Sequence, residues 1–259
     1  MLAGTWENEY GSRMTLAAEQ GAISGIYGSS TGSIGQYRVV GWCSGAEPTV
    51  VAGQPVGLAI AWHSIADGPS DASWNWTSSL GGQVSILAGE EVLVVTHLLV
   101  ATTPFPGLCE PGVYSDKLNY RRVSDATAVG DRAPIPADRS DPQTSSWAAE
   151  DGTKIRLEVN PERHRRFGLV SGSLWSGSAE LEIAGFTDYS ERSNREGRQS
   201  LAIAAVDHSQ NIAVTFGGWI DHETGILSVQ SLRNKATSKS DTYLQTAIRP
   251  MTFVRCDAP

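Results

Sequence analysis

Short apolar runs of period two, separated by Gly, Ser, Asp and Pro, recur along the whole chain, and no stretch keeps an i, i+3, i+4, i+7 apolar stripe. An amphipathic helix is therefore not the building unit, and the chain reads as all-β. In the first half the pattern predicts eight strands, at 4–10, 12–19, 22–29, 35–44, 56–64, 73–80, 90–101 and 116–123, most of them joined by connections short enough for hairpins. Eight sequential antiparallel strands close into an up-and-down barrel, which leaves no sheet edge exposed.

The second half runs through a similar series. Trp6 is answered by Trp147, Ser24-Gly25 by Ser171-Gly172, Leu58-Ala59-Ile60-Ala61 by Leu201-Ala202-Ile203-Ala204, and Tyr120 by Phe253. The separations drift only as loop lengths would make them drift, so two diverged copies of one eight-stranded barrel are expected in tandem. A chain of 259 residues has the length for two domains. The expected division is 1–123, a Pro-, Asp- and Ser-rich linker at 124–146, and 147–259.

Composition narrows the function classes. At 40% hydrophobic the chain has material for two cores, and a net charge of −8 lacks the positive field that phosphate-backbone binding needs. Nucleic acid is not an expected partner. No run approaches the roughly 20 apolar residues of a membrane span, so a soluble protein, cytoplasmic or secreted, is expected, with no leader visible in this chain. Of the three cysteines, Cys43 and Cys109 are either buried thiols or a pair closed in an oxidising compartment. The five histidines show no HExxH or close pair, so neither a metal nor a cofactor is expected. The basic run Arg163-His164-Arg165-Arg166 reads as a solvated hairpin tip.

Three segments in order, Gly4-Thr5-Trp6-Glu7-Asn8-Glu9-Tyr10-Gly11-Ser12, Ser24-Gly25-Ile26-Tyr27-Gly28-Ser29 and Leu58-Ala59-Ile60-Ala61-Trp62, resemble the avidin/streptavidin family. The resemblance covers 4–123 and, much more weakly, 147–255. It implies an eight-stranded barrel whose open end holds biotin, and assembly into dimers or tetramers; here a homodimer would bring four barrels together. It also implies that Asn8, Ser12 and Tyr27 donate to the ureido oxygen and that Ser29 accepts one ureido N–H. Alternation places Asn8 with Tyr10, Leu58 with Ile60 and Trp62, Trp74 with Trp76, and Val95 with His97 and Leu99 on the lumen side. Trp62 and Trp76 would supply flat apolar walls, and Trp74 falls where the family has a small hydroxyl. Independently of any family, three neutral donors converging in a dry cavity suit a carbonyl oxygen.

The departures bear on affinity. A family tryptophan falls at His97, and the partner of the second ureido N–H falls at Leu118, with Asp116 or Asn119 as substitutes if a bulge shifts the last strand. The loop from Thr102 to Val113 contains no tryptophan lid, so very tight biotin binding is not expected. In the second copy Asn8 corresponds to Ala149, Ser12 to Thr153, Tyr27 to Leu174, Trp62 to Ala205, Trp76 to Phe216 and Tyr10 to Asp151, so barrel two should not bind biotin in the family's manner.

His97 opens a rival reading. An inward imidazole beside an Asn8, Ser12 and Tyr27 carbonyl site has the parts of a cofactor-independent lyase, isomerase or cyclase, with His97 as catalytic acid or base. A third reading is a non-binding scaffold in which one barrel serves as an interface for the other.

Overall fold

The computed structural model describes residues 2–31, 33–66, 75–104, 108, 110–128, 137–162, 167–189, 197–238, 240–241 and 246–256. The first closed antiparallel barrel is built, in sequential order, from β1 (Gly4–Asn8), β2 (Arg13–Glu19), β3 (Ala22–Ser29), β4 (Gly35–Cys43), β5 (Gln54–Ala61), β6 (Thr77–Leu87), β7 (Glu90–Ala101) and β8 (Gly112–Ser124). The second comprises β9 (Ser145–Ala149), β10 (Lys154–Pro161), β11 (Phe167–Ser176), β12 (Ala179–Asp188), β13 (Arg198–Asp207), β14 (Ile212–Asp221), β15 (Ile226–Lys235) and β16 (Thr246–Cys256). The fold is all-β, as the period-two runs require. No helix among the described residues is long and apolar enough to cross a membrane.

The repeat is visible in detail at the start of each barrel. Trp6 Nε1 donates to the Leu2 carbonyl at 2.8 Å and Trp147 Nε1 to the Gln143 carbonyl at 3.0 Å, four residues back in both cases. An arginine from the last strand lies over each indole, Arg122 at 4.8 Å and Arg255 at 5.3 Å. The turns that follow match too: Asn8 N donates to Ser12 O, and Ala149 N to Thr153 O. Residues ahead of β9 are already tied to barrel two, through Asp138 N to Val159 O and Gln143 Nε2 to the carbonyls of Gln199 and Ser200.

The strands correct four expectations. The sixth strand is Thr77–Leu87 instead of 73–80, and the eighth begins at Gly112 instead of 116. The equivalence of Leu58 is Ile203, because Gly41 faces Leu58 and Gly185 faces Ile203; Trp62 therefore answers to Asp207. Phe216 answers to Leu80 and not to Trp76, since Leu80 lies opposite His97 as Phe216 lies opposite Ser231. The sixth-strand bounds and the two equivalences share one cause. Around β5, β6, β13 and β14 most outward positions are small, among them Gly57, Ala59, Ser79, Gly81, Ala202, Ala204 and Gly217, so the apolar/polar alternation that sets register from sequence fades there.

Those small residues exist because the two barrels pack on one another. The outer faces of β4–β7 and β12–β15 are in contact, with Val40, Ala59, Ala61, Phe167, Phe186 and Ala202 forming a buried apolar layer of their own. At its edge Gln83 Nε2 donates to Thr237 Oγ1 at 2.6 Å, Gln83 Oε1 accepts from Thr237 N at 3.0 Å, and Ala52 bridges to Ser238. Cys43 is a free thiol at the base of the first core, and burial pushes it up to about 11; Cys109 lies outside the described residues. The basic run at 163–166 also lies outside them.

Candidate functional site

Inward positions of β1, β3, β5, β6, β7 and β8, with the turn that follows β1, converge at the open end of barrel one. They enclose a cavity of about 140 Å³ lined by Asn8, Tyr10, Ser12, Tyr27, Ile60, Trp62, His97, Asp116, Leu118 and Tyr120 and, unforeseen in the sequence, by Thr31 and Leu80.

The polar wall is set by a tight turn. Asn8 Oδ1 accepts from Tyr10 N at 3.1 Å and from Ser12 N at 2.9 Å, which fixes the amide plane and leaves its NH₂ for the cavity. Ser12 is buried and its hydroxyl accepts from Ser30 N at 3.4 Å. Tyr120 is fully buried, and its hydroxyl stands beside Tyr27 and Asn8 without a hydrogen bond of normal geometry among the described residues. Burial, reinforced by the Tyr27 neighbour, pushes this phenol well above its ordinary value, so it is a neutral O–H. A buried hydroxyl with no partner costs of the order of 1–3 kcal/mol, which a ligand acceptor would recover.

The opposite wall is aromatic. Trp62 meets Tyr27 edge-on at 5.8 Å and Tyr37 at 4.8 Å, and its Nε1 donates to Ser78 Oγ at 2.7 Å. Ser78 Oγ is also 2.7 Å from His97 Nε2, so one serine links the indole to the imidazole. Burial pushes His97 down to about 4, against the opposing pull of Asp116 directly across the β7–β8 pair, and the ring is neutral at neutral pH.

Several expected residues do not join the cavity. Ser29 turns its hydroxyl to the Thr31 carbonyl at 2.8 Å, and Thr31 lines the cavity instead. Trp76 precedes β6 and gives its Nε1 to Thr103 Oγ1 at 3.0 Å, so the wall expected of it is supplied by Leu80. Leu99 lies one inward step beyond His97 and is half-buried outside the lining. Trp74 lies outside the described residues; the lumen hydroxyl beside Trp62 is Ser78. Asp116 enters the lining with no bulge, because 116, 118 and 120 share one face of β8, whereas Asn119 turns outward and donates to Glu9.

The His97 shift has a stability consequence. The unfolded chain takes up a proton at the ordinary histidine value of 6.5, the folded chain only near 4. The stabilisation is complete above 6.5 and is lost as pH falls through that window. The drop in denaturant midpoint between pH 7 and pH 5 is therefore expected to be smaller in His97→Gln than in the wild-type chain; equal drops would show that His97 does not titrate in this way.

A closed barrel with donors on one wall and indole on the other is followed by a second closed barrel of the same eight-stranded design. Residues 1–104 match the model of the Avidin family, and the whole chain folds as two closed eight-stranded barrels in tandem. Among solved structures it is similar to one titled "Crystal structure of Xenavidin", at 21% identity over 47% of this chain and 96% of that one, with a TM-score of 0.36. No curated protein matches the chain.

Proposed function

We propose that barrel one, within residues 1–123, binds a compact cyclic carbonyl compound, biotin or a related cyclic urea or amide. The observation that carries this reading is the convergence of the Asn8 amide and the Ser12, Tyr27 and Tyr120 hydroxyls on one cavity walled by Trp62. Donors held by the fold in a low-dielectric site need little reorganisation to meet a carbonyl oxygen. The volume of about 140 Å³ lies below the usual ~300 Å³ lower bound for drug-sized ligands, which favours a ring over an extended chain. Leu118 offers a second ureido N–H no acceptor, and Asp116, one inward step along β8, is the lining carboxylate that would take its place. Titration calorimetry with biotin is expected to give one site per chain, with heat abolished in Asn8→Ala/Tyr27→Phe. No heat at high concentration would sink biotin as the ligand.

The Ser78–His97 contact favours a second reading, in which neutral His97 exchanges a proton with a bound carbonyl compound as a lyase, isomerase or cyclase. His97→Ala would then abolish turnover of such a compound while largely preserving its binding, and an unchanged rate would dismiss His97 as proton carrier.

A further inference from the structure

The open end of barrel two holds a cavity of about 250 Å³, larger than its counterpart in barrel one. The enlargement follows from the replacements: Leu174 for Tyr27, and Ser231 for His97, Ser231 lying opposite Arg249 as His97 lies opposite Asp116. Leu174, Phe216 and Met251 line it with apolar surface, and the Phe216 ring is braced edge-on by Phe253 at 6.1 Å.

The mouth has also changed sign. Alternation from the buried Leu227 and Val229 carries Ser231 and Arg233 inward, and alternation from Phe253 and Met251 carries Arg249 inward. Arg249 therefore stands where barrel one has Asp116, and Arg233 where it has Leu99. The two arginines are diagonal neighbours on one face, with Cα atoms about 7–8 Å apart. Both line the cavity and both are exposed, so neither contributes to the core. Asp151 is the acidic group of the described lining. Its Oδ1 accepts from Thr153 N at 3.0 Å and its charge faces Arg249, which leaves Arg233 with no carboxylate partner among the described residues.

We propose that the lumen of barrel two binds a small organic carboxylate, its apolar body on Leu174, Phe216 and Met251 and its head group held between Arg233 and Arg249. The planar guanidinium fork matches a carboxylate, and the Thr153 and Ser231 hydroxyls add donors. An inorganic anion would leave the apolar lining unused. A neutral cyclic urea would find Ala149 where barrel one has Asn8, and Phe253, with no hydroxyl, where it has Tyr120.

The test uses the full chain labelled with ¹³C at the methionine methyls, with the Met251 resonance assigned from Met251→Leu. Benzoate and hexanoate are expected to shift that resonance saturably, at one site per chain. Arg233→Gln/Arg249→Gln should weaken binding by about tenfold or more, Asp151→Asn should tighten it, and Asn8→Ala in barrel one should leave it unchanged. Circular dichroism of the double variant checks its fold, and Arg233→Lys, which keeps the charge and loses the fork, should fall in between. Equal binding of benzamide or of inorganic phosphate, no response to either carboxylate, or full affinity in the folded double variant would each overturn the proposal.

Discussion

Trp6→Ala is expected to destabilise barrel one by about 3–5 kcal/mol, the range for truncating a fully buried tryptophan and a large share of the roughly 5–15 kcal/mol that holds a typical domain. The indole fills the core beside β2 and β8, and it also anchors a local network. Its N–H satisfies the Leu2 carbonyl, and Arg122, stacked on its face, donates to the Ala3 carbonyl at 2.6 Å and pairs with Glu91. Truncation leaves a void, strands the Leu2 carbonyl and removes the face on which Arg122 is stacked. Trp147→Ala should have the same effect on barrel two, where Gln143 and Arg255 play the matching parts. Denaturant unfolding paired with separate binding assays for the two lumens checks this. Loss of barrel-one binding is expected in Trp6→Ala alone. If either substitution disables both lumens equally, the barrels unfold as a single unit.

Gly81→Leu combined with Gly57→Val is the second large effect, and it acts between the barrels. A Cβ on Gly81 would lie 2.5 Å from Asn234 Nδ2 and 3.1 Å from Leu232 Cβ; one on Gly57 would lie 2.8 Å from Thr215 Cγ2 and 3.2 Å from Ala204 Cβ. All four neighbours belong to barrel two, so backbone meets side chain with no room for a methyl group. Overpacking of this kind costs about 1–3 kcal/mol per site, and both added side chains point away from the barrel-one lumen. The barrels are therefore expected to separate while each remains closed. Small-angle scattering should show a larger radius of gyration, and amide exchange should rise at Val40, Ala59 and Ala61 without loss of strand content. An unchanged radius would mean that the interface has more slack than these distances indicate.

Much of the fold could be read from the residues because the signal is local. Alternation between positions i and i+2 marks strands such as Ala22–Ser29 and Glu90–Ala101 and tells which side chains face inward. It also brought Asn8, Trp62 and His97 to the lumen side, the family resemblance added Ser12 and Tyr27, and the structure gathers all five on one cavity. It failed at Trp76 and at the Leu58 equivalence, where Gly, Ala and Ser on the outer face carry no contrast between buried and exposed. Tyr120 was legible as an inward anchor, but the lack of a partner for its hydroxyl depends on where Tyr27 and Asn8 come to rest.

By itself the sequence determined that the chain is all-β, that it is written twice, and that one face of each strand lines a core. The tertiary structure decided which residues meet across strands far apart in the chain. It also decided that the outer faces of β4–β7 and β12–β15 are buried against each other, and that the two lumens carry opposite charge at their mouths. The physical reason is one of range. Strand alternation is imposed by the backbone within a few residues, whereas register, interface and charge sign at a barrel mouth depend on pairings that only closure of the sheet brings together.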